Sequence, residues 1–197
     1  MAAGGDGWFH TGDVGELLPS GALKIVDRKK NFFKLAHGEY VAAEKLENAY
    51  KKVNFVDQIW VYGDSERAQL VAVVVPARGP LTAWAKSDAP EGTPTDLEVR
   101  RSAFAAREQA WGRTHERVRC VQGACGSDAA AEHVQKVLEQ EGRSAGLKGF
   151  EIVKRVHLSP EAFSTDNDLL TPSFKLKRPQ LKKRFADEIK AMYSTLQ

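Results

Sequence analysis

The stretch Asp27–Tyr50, DRKKNFFKLAHGEYVAAEKLENAY, decides how the chain is read. It opens on a charged tetrapeptide, Asp27-Arg28-Lys29-Lys30, too polar for a core and free of helix breakers. Phe32, Phe33 and Leu35 follow, then Ala36-His37-Gly38-Glu39, then Tyr40 and Val41. This pattern predicts a short hairpin with Gly38 at the bend, where a positive φ costs least. From Ala42 the apolar spacing turns helical: Ala42, Leu46, Ala49 and Tyr50 share one face, with Glu44, Lys45, Glu47 and Lys51 mostly outside it. A charged strip, a hairpin and an amphipathic helix predict the start of a domain. The residues alone are also met by an ordinary β–β–α opening behind a solvated charge run.

Toward the N terminus, Val14–Leu18 and Leu23, Ile25 and Val26 flank a Pro19-Ser20-Gly21 turn and predict a second hairpin. Toward the C terminus, Phe55–Tyr62 and Leu70–Val75 are rich in β-branched and aromatic residues, with Gly63-Asp64-Ser65 as the turn. Val71–Val75 is apolar throughout, which marks a central strand. Pro76–Thr95 reads as loop around a short helix near Leu81–Lys86. Leu97, Phe104, Trp111 and Val118 recur at a spacing of seven and predict a helix with a narrow apolar stripe. Its arginines are diluted by Glu98, Glu108 and Glu116. Asp128–Glu141 predicts a helix through Val134, Val137 and Leu138, Ile152–Leu158 a third strand, and Leu181, Phe185, Ile189, Met192 and Leu196 a final helix beginning at Pro179. The expected fold is α+β: a small central sheet of about three strands flanked by helices, preceded by a β-hairpin.

With 197 residues, 42% of them hydrophobic, the chain can bury one core and carry an appendage. A net charge of +3 on 29 basic and 26 acidic residues calls for no nucleic-acid partner. Two cysteines, Cys120 and Cys125, cannot build a disulfide framework and point to a reducing, intracellular setting, cytoplasmic or peripheral to an organelle membrane. No apolar run reaches bilayer length, no cleavable signal pattern opens the chain, and Ser194–Gln197 is no peroxisomal address. His115, Cys120, Cys125 and His133 fit no common zinc spacing, so no metal site is expected.

Three phrases carry more than pattern: DGWFHTGDVGELLPSGALKIVDRKK at 6–30, FKLAHGEYVAAEKLE at 33–47 and LLTPSFKLKRPQLKKRF at 169–185. In that order they closely resemble the C-terminal part of eukaryotic-type long-chain acyl-CoA synthetases, adenylate-forming enzymes grouped with luciferases and peptide-synthetase adenylation domains. The resemblance covers almost the whole chain and is weakest between about Pro76 and Ser144; Met1–Gly5 falls outside it. It implies a division at 1–29, a β-hairpin from the end of the N-terminal adenylation domain, and 30–197, a C-terminal lid with an insertion around 76–147. It further implies that the whole enzyme converts fatty acid, ATP and CoA to acyl-CoA, AMP and pyrophosphate, and that this chain is inactive alone. A stand-alone non-catalytic binding or structural module descended from the same lid is the alternative.

The same resemblance assigns roles. A bare Thr11-Gly12-Asp13 is ordinarily a capped turn; within WFHTGD, Asp13 is implied to accept from the ribose hydroxyls of ATP and AMP, as an ionised carboxylate can. Arg28 would reach the nucleotide's ribose or phosphate, and Lys30 matches the pivot between the two domains. Asn31 often has an acidic counterpart. Ala36, Gly38 and Glu39 would line the path of the CoA pantetheine. Lys175 matches the adenylation lysine, bridging the attacking carboxylate and the α-phosphate. Pro172 places it on a mobile loop, and Phe174 stands where the wider superfamily has glycine. Lys177, Lys182, Lys183 and Arg184 are expected to be solvated charges. ATP or AMP, CoA and Mg2+ are the implied ligands, with the metal held mainly by the N-terminal adenylation domain, the implied partner.

Overall fold

The structure, a computed structural model, describes residues 7–87 and 125–196. Two antiparallel hairpins come first: β1 (Asp13–Leu17) with β2 (Leu23–Arg28), and β3 (Phe32–Lys34) with β4 (Tyr40–Ala42). A short 3-10 turn, Lys29–Asn31, joins them. Helix α1 (Ala43–Tyr50) leads into β5 (Val56–Tyr62) and β6 (Leu70–Pro76), then α2 (Arg78–Ser87). After α3 (Asp128–Ser144) the chain enters β7 (Val153–Leu158), and α4 (Arg178–Arg184) and α5 (Ala186–Ser194) close it.

The sheet runs β5-β6-β7, with β5 antiparallel and β7 parallel to the central strand. Every residue of β6 is buried, as its unbroken apolar run requires. Successive side chains point to opposite faces, and the two faces are distinct cores. Leu70, Ala72 and Val74 pack with Leu46 and Tyr50 of α1, Leu81 and Trp84 of α2, and Val134 and Leu138 of α3. Val71, Val73 and Val75 pack instead with Phe163, Leu181 of α4 and Ile189 and Met192 of α5. Helices therefore cover both faces of the sheet. Each fully buried Val or Leu contributes roughly 1.5–3 kcal/mol, so stability is concentrated here.

Three expectations need correction. The final helix is broken: at Phe185 the backbone leaves the helical region (φ −109°, ψ 28°), separating α4 from α5. No glycine or proline marks the break; the buried ring instead packs 6.0 Å from that of Phe163. The charged strip is not wholly solvated, because Asp27 is buried. Glu47, placed outside the apolar face of α1, is also buried. Both acids have partners remote in sequence: Asp27 meets the start of α1, and Glu47 meets Arg178. Met1–Gly5, the stripe Leu97, Phe104, Trp111 and Val118, and the pair His115 and Cys120 lie outside the described residues.

Candidate functional site

The β1–β2 register sets Asp13 opposite Arg28. Gly12, at φ +77°, turns the chain into β1, and the Asp13 N–H donates to Thr11 Oγ1 at 3.1 Å. Arg28 Nε lies 3.3 Å from Asp13 Oδ1, and both side chains remain accessible. The two residues assigned to the nucleotide thus form one ion pair on an exposed hairpin. The same hairpin leaves Trp8, Phe9, Leu17, Leu23 and Ile25 open to solvent.

Asp27 fastens this hairpin to α1. Its Oδ1 accepts from the Arg28 N–H at 2.6 Å and from Asn31 Nδ2 at 2.8 Å; its Oδ2 accepts from the Glu44 N–H at 3.1 Å. The carboxylate therefore meets the N-terminal turn of the helix, where orphan donors and the helix dipole favour an anion. Asn31 Nδ2 also reaches Glu44 Oε2 at 3.3 Å. An amide can donate to both acids; an ionised acid at 31 could not. Lys30 sits inside the 3-10 turn that this arrangement brackets.

Ala36, Gly38 and Glu39 lie together on the exposed β3–β4 bend. The Leu35 N–H donates to the Glu39 carbonyl at 2.9 Å and the Gly38 N–H to the Leu35 carbonyl at 2.8 Å. Gly38 adopts φ +87°, as the sequence predicts for this bend. The Ala36 N–H donates to the Arg67 carbonyl at 3.0 Å, tying the bend to the loop between β5 and β6.

Lys175 is exposed on a separate loop ahead of α4, closed by its own hydrogen bonds. The Thr171 N–H donates to the Lys175 carbonyl at 2.8 Å, the Phe174 N–H to the Thr171 carbonyl at 2.8 Å, and the Lys175 N–H to Thr171 Oγ1 at 3.1 Å. Leu170 and Leu176 bridge behind it. Phe174 takes φ +57°, a left-handed conformation that glycine adopts freely and phenylalanine rarely, and its ring is exposed.

Lys177, Lys182, Lys183 and Arg184 were expected to be solvated, and Lys182, Lys183 and Arg184 are exposed while Lys177 is half-buried. Lys177 is bound to Asp168, Lys182 Nζ lies 5.4 Å from the Tyr62 ring centroid, and Arg184 is 3.8 Å from Glu161. Arg178, which sequence reasoning left without a role, makes two 2.9 Å bonds to the carboxylate oxygens of Glu47. Burial pushes the Glu47 carboxyl above its ordinary range, and the Arg178 guanidinium pulls it back only in part. Only the FKLKRP phrase at 174–179 hinted at Arg178; nothing local marked Glu47 or Asp27.

The structure brings Asp13 and Arg28 together, groups Ala36, Gly38 and Glu39 on one bend, and holds Lys175 on another loop. No family model matches the chain. Long chain acyl-CoA synthetase 5 of Arabidopsis thaliana is 43% identical over 190 residues, which are 96% of this chain and 24% of that protein. Fatty acyl-CoA synthetase B of Dictyostelium discoideum is 42% identical over 97% of this chain and 24% of its own length. The chain is a homologue of part of the long-chain acyl-CoA synthetases. It spans about a quarter of the length of the synthetases it matches. In structure it is similar to the A domain of a carboxylic acid reductase from Segniliparus rugosus, solved in complex with AMP and a co-purified carboxylic acid. That likeness has a TM-score of 0.73 at 28% identity, over 98% of this chain and 24% of the reductase domain. It is consistent with a C-terminal domain of the adenylate-forming superfamily to which the synthetases belong. Among the described residues no helix is long and apolar enough to cross a membrane, and no group of three or more His, Cys, Asp or Glu could hold a metal ion.

Proposed function

We propose that the chain is the C-terminal lid of a long-chain fatty acid–CoA ligase. In the first half-reaction a fatty-acid carboxylate oxygen attacks the α-phosphorus of ATP, forming acyl-AMP and expelling pyrophosphate. In the second the CoA sulfur attacks the acyl carbon and AMP leaves. The lid serves each step with a different face by rotating about Lys30, a plausible use of a linker residue. Lys175 spans the attacking carboxylate and the α-phosphate while charge redistributes between them. The Ala36-Gly38-Glu39 bend then lines the pantetheine path, with Asp13 on the ribose and Arg28 beside it. The remainder of the enzyme holds the acyl chain, the triphosphate and its Mg2+, so the chain by itself makes no acyl-CoA.

The observation that carries this reading is the exposed Lys175 on a hydrogen-bond-closed loop, separate from the bend at Gly38. One lysine and one bend on different loops suit two successive presentations. Testing it needs the full-length ligase and separate half-reaction assays. Lys175→Ala is expected to cripple acyl-AMP formation by several kcal/mol, roughly the scale of a charged transition-state contact. CoA transfer to supplied acyl-AMP is expected to survive. Equal loss of both half-reactions would sink the assignment.

A further inference from the structure

Lys175 is useful only if its ammonium is held in place, and its loop carries no covalent staple. The loop leaves the fold at Leu170 and returns at Arg178, the first residue of α4. Arg178 lies three positions beyond Lys175, a span of at most about 11 Å. Within it the Lys177 N–H is fixed to the Leu169 carbonyl at 2.9 Å. Whatever fixes Arg178 therefore limits where Lys175 can stand.

What fixes it is Glu47. Both carboxylate oxygens take the Arg178 guanidinium at 2.9 Å, a planar fork that sets direction as well as distance. Oε1 also accepts the Val61 N–H of β5 at 3.1 Å. The Glu47 side chain is 4% exposed and that of Arg178 25%. One acid on α1 thus joins three elements: its own helix, a sheet strand and the foot of the lysine loop. A solvated pair of long side chains would restrain little; this pair is enclosed, bidentate and anchored to the sheet.

We propose that Glu47 and Arg178 are positioning residues for Lys175, holding the foot of its loop against the sheet so that the lysine meets the adenylation site in one geometry. The proposal rests on the adenylation role proposed for Lys175. Neither residue touches substrate; their effect passes through the loop backbone. Lysine at 178 would keep the charge and lose the fork, and glutamine at 47 would keep the shape and lose the charge.

Two measurements on Glu47→Gln and Arg178→Lys test this. Amide hydrogen exchange is expected to quicken at Phe174 and Lys175 while β6 amides keep wild-type protection, a split that general destabilisation would not give. In the full-length ligase, kcat for acyl-AMP formation is expected to fall about 10- to 100-fold, with KM for ATP little changed and CoA transfer retained. Arg178→Lys, altering the more exposed partner, carries the test if Glu47→Gln does not fold. Wild-type exchange at Phe174 and Lys175 with wild-type adenylation in a folded variant overturns the proposal. So does exchange that rises evenly across β6 and the loop. If Lys175→Ala itself leaves adenylation intact, the role of Lys175 fails, whereas the exchange result still decides whether the pair orders the loop.

Discussion

Two antiparallel strand pairs of this chain have opposite surroundings, and their sequences differ to match: β5–β6 is apolar at most positions, β1–β2 at fewer than half. In β5–β6 every residue of the central strand is buried, because helices cover both faces. In β1–β2 every residue of the first strand is exposed, along with Leu23 and Ile25 of the second. Ladder hydrogen bonds are common to both, so they do not explain the difference in burial. A lone two-stranded hairpin is marginal in water; this one is secured to the body by Asp27 reaching the Glu44 N–H. Burial makes the sheet a stable body, and the hairpin offers an ion pair and an apolar surface to something else. On the proposed reading that something is the adenylation domain.

The contrast breaks most visibly by deletion. Leu46→Ala removes a fully buried side chain beneath the sheet and is expected to cost about 2–5 kcal/mol. Leu23→Ala on the hairpin is expected to stay within about 0.5 kcal/mol. Urea denaturation of the two variants checks both, and similar losses would erase the distinction between body and hairpin.

The next effect concerns the second hairpin, which is exposed at its bend yet secured at its base. Gly38→Trp forces a bulky side chain to φ +87°, at a cost of roughly 1–2 kcal/mol. In the full-length ligase acyl-AMP is expected to accumulate while thioester formation fails. Thioester formation at the wild-type rate would remove the bend from the pantetheine path.

The smallest effect is a pH slope in the body. His157 on β7 is held below its ordinary value of 6.5, first by burial; Arg184 lowers it further and Glu188 opposes both. The unfolded chain takes up the proton first, so stability present above 6.5 is lost as pH falls through the depressed folded value. His157→Gln is expected to flatten the thermal-stability profile across that window, and an unchanged slope would assign it to other groups.

What the sequence disclosed came from short-range chemistry. The β-branched, unbroken apolar run Val71–Val75 marked a central strand, and Gly38 marked a bend that does adopt positive φ. Asp27 and Glu47 were misjudged because a charge reads as solvated until its partners are known, and the contacts that tie them to the body, to the Glu44 N–H and to Arg178, span 17 and 131 residues. The break at Phe185 was hidden for a related reason: the apolar stripe continues across it, and the ring is set by tertiary packing against Phe163 and His157. At the site, Lys175 stood out by the phrase around it. The left-handed Phe174 before it did not, since nothing in that side chain announces such a backbone.

The central claim is that the chain is a folded lid without a complete site of its own. Purified as it stands, it can be followed by thermal unfolding, titrated with ATP in a calorimeter and assayed for acyl-CoA formation. Cooperative unfolding, ATP affinity no tighter than about millimolar and no turnover are the expected results. Acyl-CoA synthesis by the chain alone would contradict the account, because it requires the acyl and triphosphate sites assigned to the rest of the enzyme.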